Sequence, residues 1–340
     1  MQRSRPESYQ PPYPAFQSHF PPEESEVSLA IVGVQSRDRS DGDDMVASWL
    51  ALLESDAEAA PRHVERSRHV DPAGFHNELL LAYWQTPAAQ DAFWARADVE
   101  AFAASPLSGA IGWWRESLSA PTTSVDGNYS LEKVFYGTGR HVEQKLEQYH
   151  AYYGSMRDRV PDYLEGVADG PHGQLVARDV ASRGRRLKIS DLPHRLCYIR
   201  SGFGWDKARP AEQAGFIEDM MPVYRAGAHY LAENPLEANC ISTRLLDEVP
   251  HGLLNGVQVE TIGWFLTLKD LEHWTHKHPT HAAIYKGVFV YMNKFNFDVR
   301  LNLGHEVIVV PQGGVTVEYS NCHERSGFLP FFPSEEISGS

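Results

Sequence analysis

Two histidines stand on the apolar faces of otherwise ordinary elements, His281 in HPTHAAIYKGVFVYM and His305 in VRLNLGHEVIVV. A helix counted from Pro279 brings His281 into register with Ile284, Val288 and Met292, with Tyr291 beside them. That is the i, i+3, i+7 stripe of a core-facing helix. In the second stretch, period-two alternation groups His305 with Leu301, Leu303, Val307 and Val309, and sends Arg300, Asn302 and Glu306 to the other face. Leaving a buried imidazole without a partner costs about 1–3 kcal/mol. Each ring therefore calls for a hydrogen-bond partner, a metal or a ligand.

His281 closes a run of four histidines, with His273, His276 and His278 before it. Histidines spaced i, i+3 can share a zinc ion. Pro279 weakens that reading, because it interrupts the helix and turns His273 and His276 away from His281. As a good first helical residue, it starts a new helix there. A satisfied structural histidine, a haem ligand and a zinc ligand all remain open for His281, and a hydrogen-bonded core histidine remains open for His305. Taken alone, Ser201 in YIRSGFGW reads as a turn residue at a strand end, and Arg157 and Arg159 in YYGSMRDRVP read as solvated charges.

The elements that must position these residues repeat. Strand 27–35, helix 43–55, strands 62–68 and 76–84, a helical stretch 87–104 and strand 110–118 follow the split β-α-β-β-α-β order of a ferredoxin-like unit. Strand 195–202, helical stretch 209–233, strands 238–247 and 256–268, helical region 269–294 and strand 300–310 follow it again. Pro222 should bend the 209–233 stretch. AYWQTPAAQDAFW in the first half and WFLTLKDLEHW in the second each end a strand and start a helix carrying a tryptophan, a faint echo of duplication. The expected fold is therefore α+β, with duplicated ferredoxin-like repeats and antiparallel sheets, of the dimeric α+β barrel type. Its divisions are a proline- and aromatic-rich segment 1–26 packed on the fold, a first repeat 27–119, a connecting region 120–194, a second repeat 195–312 and a C-terminal segment 313–340. The connecting region carries the GSMRDR motif and a helix-like stretch from Glu132 to Arg159. A planar cofactor slotted between the last helix and the sheet of the second repeat would meet His281 on one side and strand residues on the other.

The 340 residues are 42% hydrophobic and 11% aromatic, which suits a globular core and excludes wholesale disorder. A formal net charge of −14 argues against nucleic-acid and anionic-membrane partners. No apolar run reaches the length of a membrane span, and the opening MQRSRPESYQPPYPAFQSHFPPEE lacks the apolar region of a secretory signal. Cys197, Cys240 and Cys322 read as reduced thiols of a cytoplasmic protein. The chain has no CxxCH for covalent haem, and no CxxC, HExxH, GxGxxG or Walker loop.

In order along the chain, YYGSMRDRVP, YIRSG followed by GW, WTHKHPTHAAIY, LGHEV and SNCHERSGFLPFF together resemble the haem-containing aldoxime dehydratases. The likeness runs from PPYPAF near the start to GFLP near the end. It implies an enzyme that dehydrates aldoximes, R–CH=N–OH, to nitriles, using haem b that is ferrous in the active state and binds the oxime nitrogen. It also implies a homodimer. His281 would be the axial iron ligand, His305 the distal acid–base group, Ser201 a hydrogen-bond partner of the substrate hydroxyl, and Arg159 a support of the distal site. The family often carries a carboxylate in a P-x-x-x-F-E context to orient the distal histidine; here Asp126 in PTTSVDG stands at that point. Aspartate is one methylene shorter, so its contact with His305 is lost, bridged by water or taken over by another residue. A haem-binding or haem-trafficking protein on a ferredoxin-like scaffold would need His281, but has no use for Ser201, Arg159 and His305 together. A haem-free oxygenase or interaction module would need none of them. The aromatic content suits an aryl or arylalkyl aldoxime, although a large pocket also takes alkyl chains.

Overall fold

A computed structural model describes residues 3–337 apart from 56–57, 108, 135, 171–172 and 253–255. The first two residues of the opening segment and the last three of the closing one thus lie outside the described residues. Fourteen strands are found among the described residues: β1 (Ala15–His19), β2 (Glu26–Ser36), β3 (His63–Val70), β4 (His76–Trp84), β5 (Gly112–Pro121), β6 (Val125–Tyr129), β7 (Glu143–Glu147), β8 (Arg186–Ile189), β9 (Leu196–Gly204), β10 (Cys240–Val249), β11 (Gln258–Phe265), β12 (Asn302–Val310), β13 (Val315–Ser320) and β14 (Ser334–Glu336). They form one sheet in the order β14-β8-β13-β5-β2-β4-β3-β10-β11-β9-β12-β6-β1-β7. Every neighbouring pair is antiparallel. The fold is α+β with a large antiparallel sheet.

The middle of that order is symmetric: β5-β2-β4-β3 is followed by its mirror image, β10-β11-β9-β12. Only three residue pairs join β3 to β10, from Arg66 to Arg68 against Asp247 to Val249, so the halves part beyond this seam. Their inner faces then meet. One core cluster unites Leu29, Ile31, Leu79 and Leu81 of the first half with Tyr198, Ile262, Trp264 and Ile308 of the second. Helices cover the outer faces. Trp49 and Leu53 of the helix Asp43–Leu53 pack on Val32, Leu80 and Trp113. On the second half, Phe216, Tyr224 and Tyr291 pack over Phe203, Val259 and Leu301.

Two helical expectations change in detail. The 209–233 stretch is helix Pro210–Gly215, one turn of π-helix over Phe216–Met220 and helix Met221–Glu233. The wide turn falls just before Pro222, which has no N–H for an intrahelical bond. The 269–294 region is two helices, Leu268–Lys277 and Pro279–Lys294, parted at His278.

The helix-like stretch from Glu132 to Arg159 is a correction. It is a short 3-10 turn, the strand β7 and a final five-residue helix, Ser155–Arg159. β7 gains a partner from far away in sequence, pairing along its length with β1. Such a partner is invisible to local periodicity. The opening aromatics do lie on the fold: the Tyr9 hydroxyl donates to the His150 carbonyl (2.9 Å), and Phe20 packs against the central core.

Gly33 lies opposite Trp114 across β2 and β5, and the indole covers its Cα so closely that a Cβ there would overlap the ring. Gly33→Ala should therefore destabilise the fold by about 1–3 kcal/mol, read as a lower urea midpoint with an unchanged slope.

Candidate active site

The site begins with register. Ser201 on β9 stands directly opposite His305 on β12 and, on its other side, opposite Thr261 on β11. Asn128 on β6 stands opposite His305 in turn. Directly opposed residues of antiparallel strands project to the same face. Asn128, His305, Ser201 and Thr261 therefore form one polar row across the outer face of the second half. Alternation sends their neighbours inward. Arg200 reaches Glu65 (2.6 Å) and Glu260 (2.6 Å) and donates to the Tyr83 hydroxyl (2.7 Å). Glu306 accepts from the Tyr129 hydroxyl (2.9 Å), the Thr138 hydroxyl (2.8 Å) and the Gly139 amide (3.2 Å). The face opposite His305 is thus no solvent face: Asn302 and Glu306 are buried. These polar groups were legible as a pattern, but not as an interior network, because their partners come from distant strands and loops.

Asp126, two residues before Asn128, shares its face. It lies within reach of His305, with Oδ2 at 3.2 Å from Nε2. The one-methylene deficit is met because β6 is itself the strand next to β12. Arg159 grips both carboxylate oxygens, Nε to Oδ1 at 2.8 Å and Nη2 to Oδ2 at 2.6 Å. Nη2 also lies 3.1 Å from His305 Nε2. Arg159 is not a solvated charge: its side chain is 1% exposed and Asp126 is fully buried. Burial pushes the Asp126 pKa up, but the guanidinium charge and the hydrogen bonds from His305 and Arg159 prevail, holding it near about 2.

Arg159 owes its place to local chain chemistry. Gly154, at φ +87°, turns the chain in the left-handed region just before the helix Ser155–Arg159. Pro161 ends it, since the residue before a proline avoids helical backbone. Within that turn, Arg157 faces away and pairs with Glu272 (2.7 Å) and Asp169 (3.2 Å), a second expected surface charge that is partnered. Between them, Asp158 accepts from the Tyr152 hydroxyl (2.8 Å) and from the Ser4 amide (2.9 Å). Arg3 Nε donates to the Asp158 carbonyl (3.1 Å), so the start of the chain clasps the turn that carries Arg159.

The helix Pro279–Lys294 forms the facing wall. His278 caps it by accepting from the Thr280 amide (3.3 Å), with its ring stacked on Tyr230. His276 packs on Tyr153 instead. Among the described residues, no three His, Cys, Asp or Glu side chains gather to hold a metal ion. His281 sits in the first turn, edge-on to Trp274 at 4.8 Å. Its Nδ1 is buried without a hydrogen-bond partner. Burial pulls its pKa down to about 4, against an opposing pull from the Thr275 backbone, so the ring is neutral at pH 7. Of its apolar stripe, Tyr291 alone is buried. Ile284 and Val288 are half-buried and line a cavity together with His281. The two histidines are accordingly half-buried on opposite walls rather than sealed in a core.

That cavity, about 250 Å³, brings His281, His305, Ser201, Arg159 and Asn128 together. Tyr285 and Phe289 add to the helical wall, and Tyr13 of the opening segment closes one side. Asp126 lies behind it, reached through His305 and Arg159. A larger cavity of about 700 Å³ opens elsewhere, beside Asp71, Arg244 and His323. Its polar groups are largely occupied with one another: His323 contacts Asp71 at 2.9 Å, and Asn77 donates to Asp71 at 3.1 Å. This network gives the SNCHERSG motif a structural use in anchoring the C-terminal segment. The polar row thus belongs to the smaller cavity. Asn128 was missed in the sequence, where VDGNY offers only its spacing of two from Asp126.

The chain matches the model of the haem-containing dehydratases over residues 30–328. It is 32% identical to the phenylacetaldoxime dehydratase of Bacillus sp. (strain OxB-1), over 98% of this chain and 96% of that one. It is 29% identical to an aliphatic aldoxime dehydratase of Pseudomonas sp., over 97% and 94% of the two chains. Among solved structures it is similar to an aldoxime dehydratase in complex with butyraldoxime, with a TM-score of 0.88 at 25% identity, covering 98% of this chain and 93% of that one.

Asp126 is ionised in the fold at a pKa of about 2, below the ~3.9 of an unfolded aspartate. Its stabilisation is therefore fully present above about pH 4 and lost as pH falls toward the folded value. Asp126→Ala strands the Arg159 charge and should cost about 3–5 kcal/mol at neutral pH. Urea titrations across a pH series should show the gap to wild type narrowing below about pH 4.

Proposed function

The chain belongs to the haem-containing dehydratase family, and from that membership we infer how its own residues share the reaction, the dehydration of an aldoxime to a nitrile and water. Relatives along its full length are named as aldoxime dehydratases, so a haem carrier without this activity is set aside. The observation that carries the division of labour is the cavity itself, with a neutral histidine whose Nδ1 is unpaired on the helical wall and an acid–base histidine in a polar row on the other.

The residues fit haem. His281 presents an imidazole that is neutral at pH 7, the form that would hold the haem iron. The buried, unpaired Nδ1 is the kind of orphan a bound group resolves. Tyr285, Phe289, Ile284 and Val288 supply an apolar surface for a flat macrocycle. When bound, haem b would supply a ferrous iron able to weaken the N–O bond of an oxime. The rest is done by the chain. Nε2 of His305 always has a partner: it donates to Asp126, or accepts from Arg159 in the other tautomer. Nδ1 is then free to exchange a proton. In its protonated form, His305 gives the Nδ1 proton to the hydroxyl as the N–O bond breaks, and water leaves. The neutral ring takes the carbon-bound proton, which completes the C≡N bond and restores the acid. Ser201, opposite His305, holds the hydroxyl toward that proton. Arg159 and Asp126 fix the ring.

The mirrored strand order supports a duplicated ferredoxin-like architecture, with repeats at 27–119 and 195–312 flanked by the segments 1–26, 120–194 and 313–340. We place the protein in the cytoplasm, on the strength of three buried free cysteines. No helix among the described residues is long and apolar enough to cross a membrane. The protein is proposed to be a homodimer. Leu236 at the larger cavity, and Val70 and Val176 next in sequence to residues that line it, are exposed apolar side chains that a second subunit would cover.

Reduced, haem-loaded protein incubated anaerobically with phenylacetaldoxime or an aliphatic aldoxime should yield the nitrile by gas chromatography. His281→Ala should lose the haem or its axial-ligand spectrum. His305→Ala should keep the haem and lose turnover by roughly a hundredfold or more. Light scattering should give twice the chain mass, and Leu236→Asp should shift it toward the monomer.

A further inference from the structure

We propose that Asn128 is a further substrate-positioning residue, whose Nδ2 donates a hydrogen bond to the oxime oxygen from the side of His305 away from Ser201. The proposal rests on the assignment of this cavity to aldoxime dehydration. Asn128 Nδ2 is buried and has no hydrogen-bond partner. Buried amide donors are rarely left so in native proteins, and Asn128 lines the cavity itself. Its cross-strand neighbours do not satisfy it. On one side stands Gln17, whose own amide donates to the Arg159 carbonyl (3.2 Å). On the other stands His305, whose Nε2 is held by Asp126 and Arg159. Directly opposed side chains in such a ladder have Cβ atoms roughly 4.5–5.5 Å apart. An atom that His305 protonates is therefore within range of Asn128 as well.

The chemistry gives the donor a use. An oxime hydroxyl has two oxygen lone pairs, and a third forms as the N–O bond leaves its electrons on oxygen. His305 protonates one pair, and Ser201 holds the group from its own side. A neutral amide N–H on the Asn128 side meets the pair that develops during cleavage. Being uncharged, it does so without adding a further cation to Arg159 beside His305. The contact is thus stronger in the transition state than in the bound substrate, so its loss falls on kcat more than on KM.

The experiment uses reduced haem-loaded protein and the variants Asn128→Leu, close in shape but without the donor, and Asn128→Ala. Expected in both is a fall in kcat of roughly tenfold or more with KM changed less than about threefold. The Soret titration should show aldoxime binding weakened by roughly threefold, while carbon monoxide, which has no hydroxyl, binds as in wild type. Asn128→Ser, which restores a donor, should recover part of kcat. Wild-type kcat in both the Leu and Ala variants overturns the proposal. So does an equal loss of carbon monoxide and aldoxime binding in the Ala variant, which would mark a structural role. A wild-type protein that binds haem yet turns over no aldoxime overturns the underlying assignment instead.

Discussion

The ion pair between Asp126 and Arg159 is the contact on which the site depends. Both side chains are almost wholly withdrawn from water. Dehydrating two charges costs several kcal/mol per ion, which their attraction offsets only with good geometry and further hydrogen bonds. Both are supplied here: two oxygens on two nitrogens, the Tyr149 carbonyl on Nη1 (2.8 Å) and His305 on the remaining side. A pair so constrained has few alternative arrangements. It turns a flexible arginine on a five-residue helix and a short aspartate on a short strand into a fixed seat for one imidazole.

The same strands serve two incompatible environments by alternation. Ser201 and His305 face the cavity, while their chain neighbours Arg200 and Glu306 are sunk between the two half-sheets. Arg200 ties β9 to β3 and β11 through Glu65 and Glu260, so the polar row that lines the cavity is anchored from beneath by charge rather than by apolar packing alone. The Tyr224 hydroxyl adds a bond from the covering helix to the Ser201 carbonyl (2.6 Å). Rigidity of the polar row thus derives from both faces of one sheet.

What was legible in the sequence is what local periodicity controls. Pro279 announced the helix that carries His281, and the alternation around His305 gave its strand and face. The strand–helix order gave an α+β fold with antiparallel sheets, but not the strand order that joins them. What stayed hidden depends on partners far apart in the chain. The GSMRDR arginines looked like surface charges because Asp126, 33 residues from Arg159, and Glu272, 115 residues from Arg157, are not near them in sequence. The stretch before them looked helical because β1, its true partner, lies more than a hundred residues upstream. Asn128 carried no signal beyond its spacing of two from Asp126 until the register of β6 against β12 set it beside His305.

The clasp made by Arg3 and Ser4 on Asp158 has a practical corollary. These residues touch the turn one position away from Arg159, and Tyr13 from the same segment lines the cavity. The segment from Arg3 to Tyr13 therefore helps to build the wall of the cavity. Shortening it, or fusing a bulky tag to it, would loosen the arginine and open the chamber to water at once. A protein trimmed of these residues is therefore a poor guide to the activity of one that keeps them.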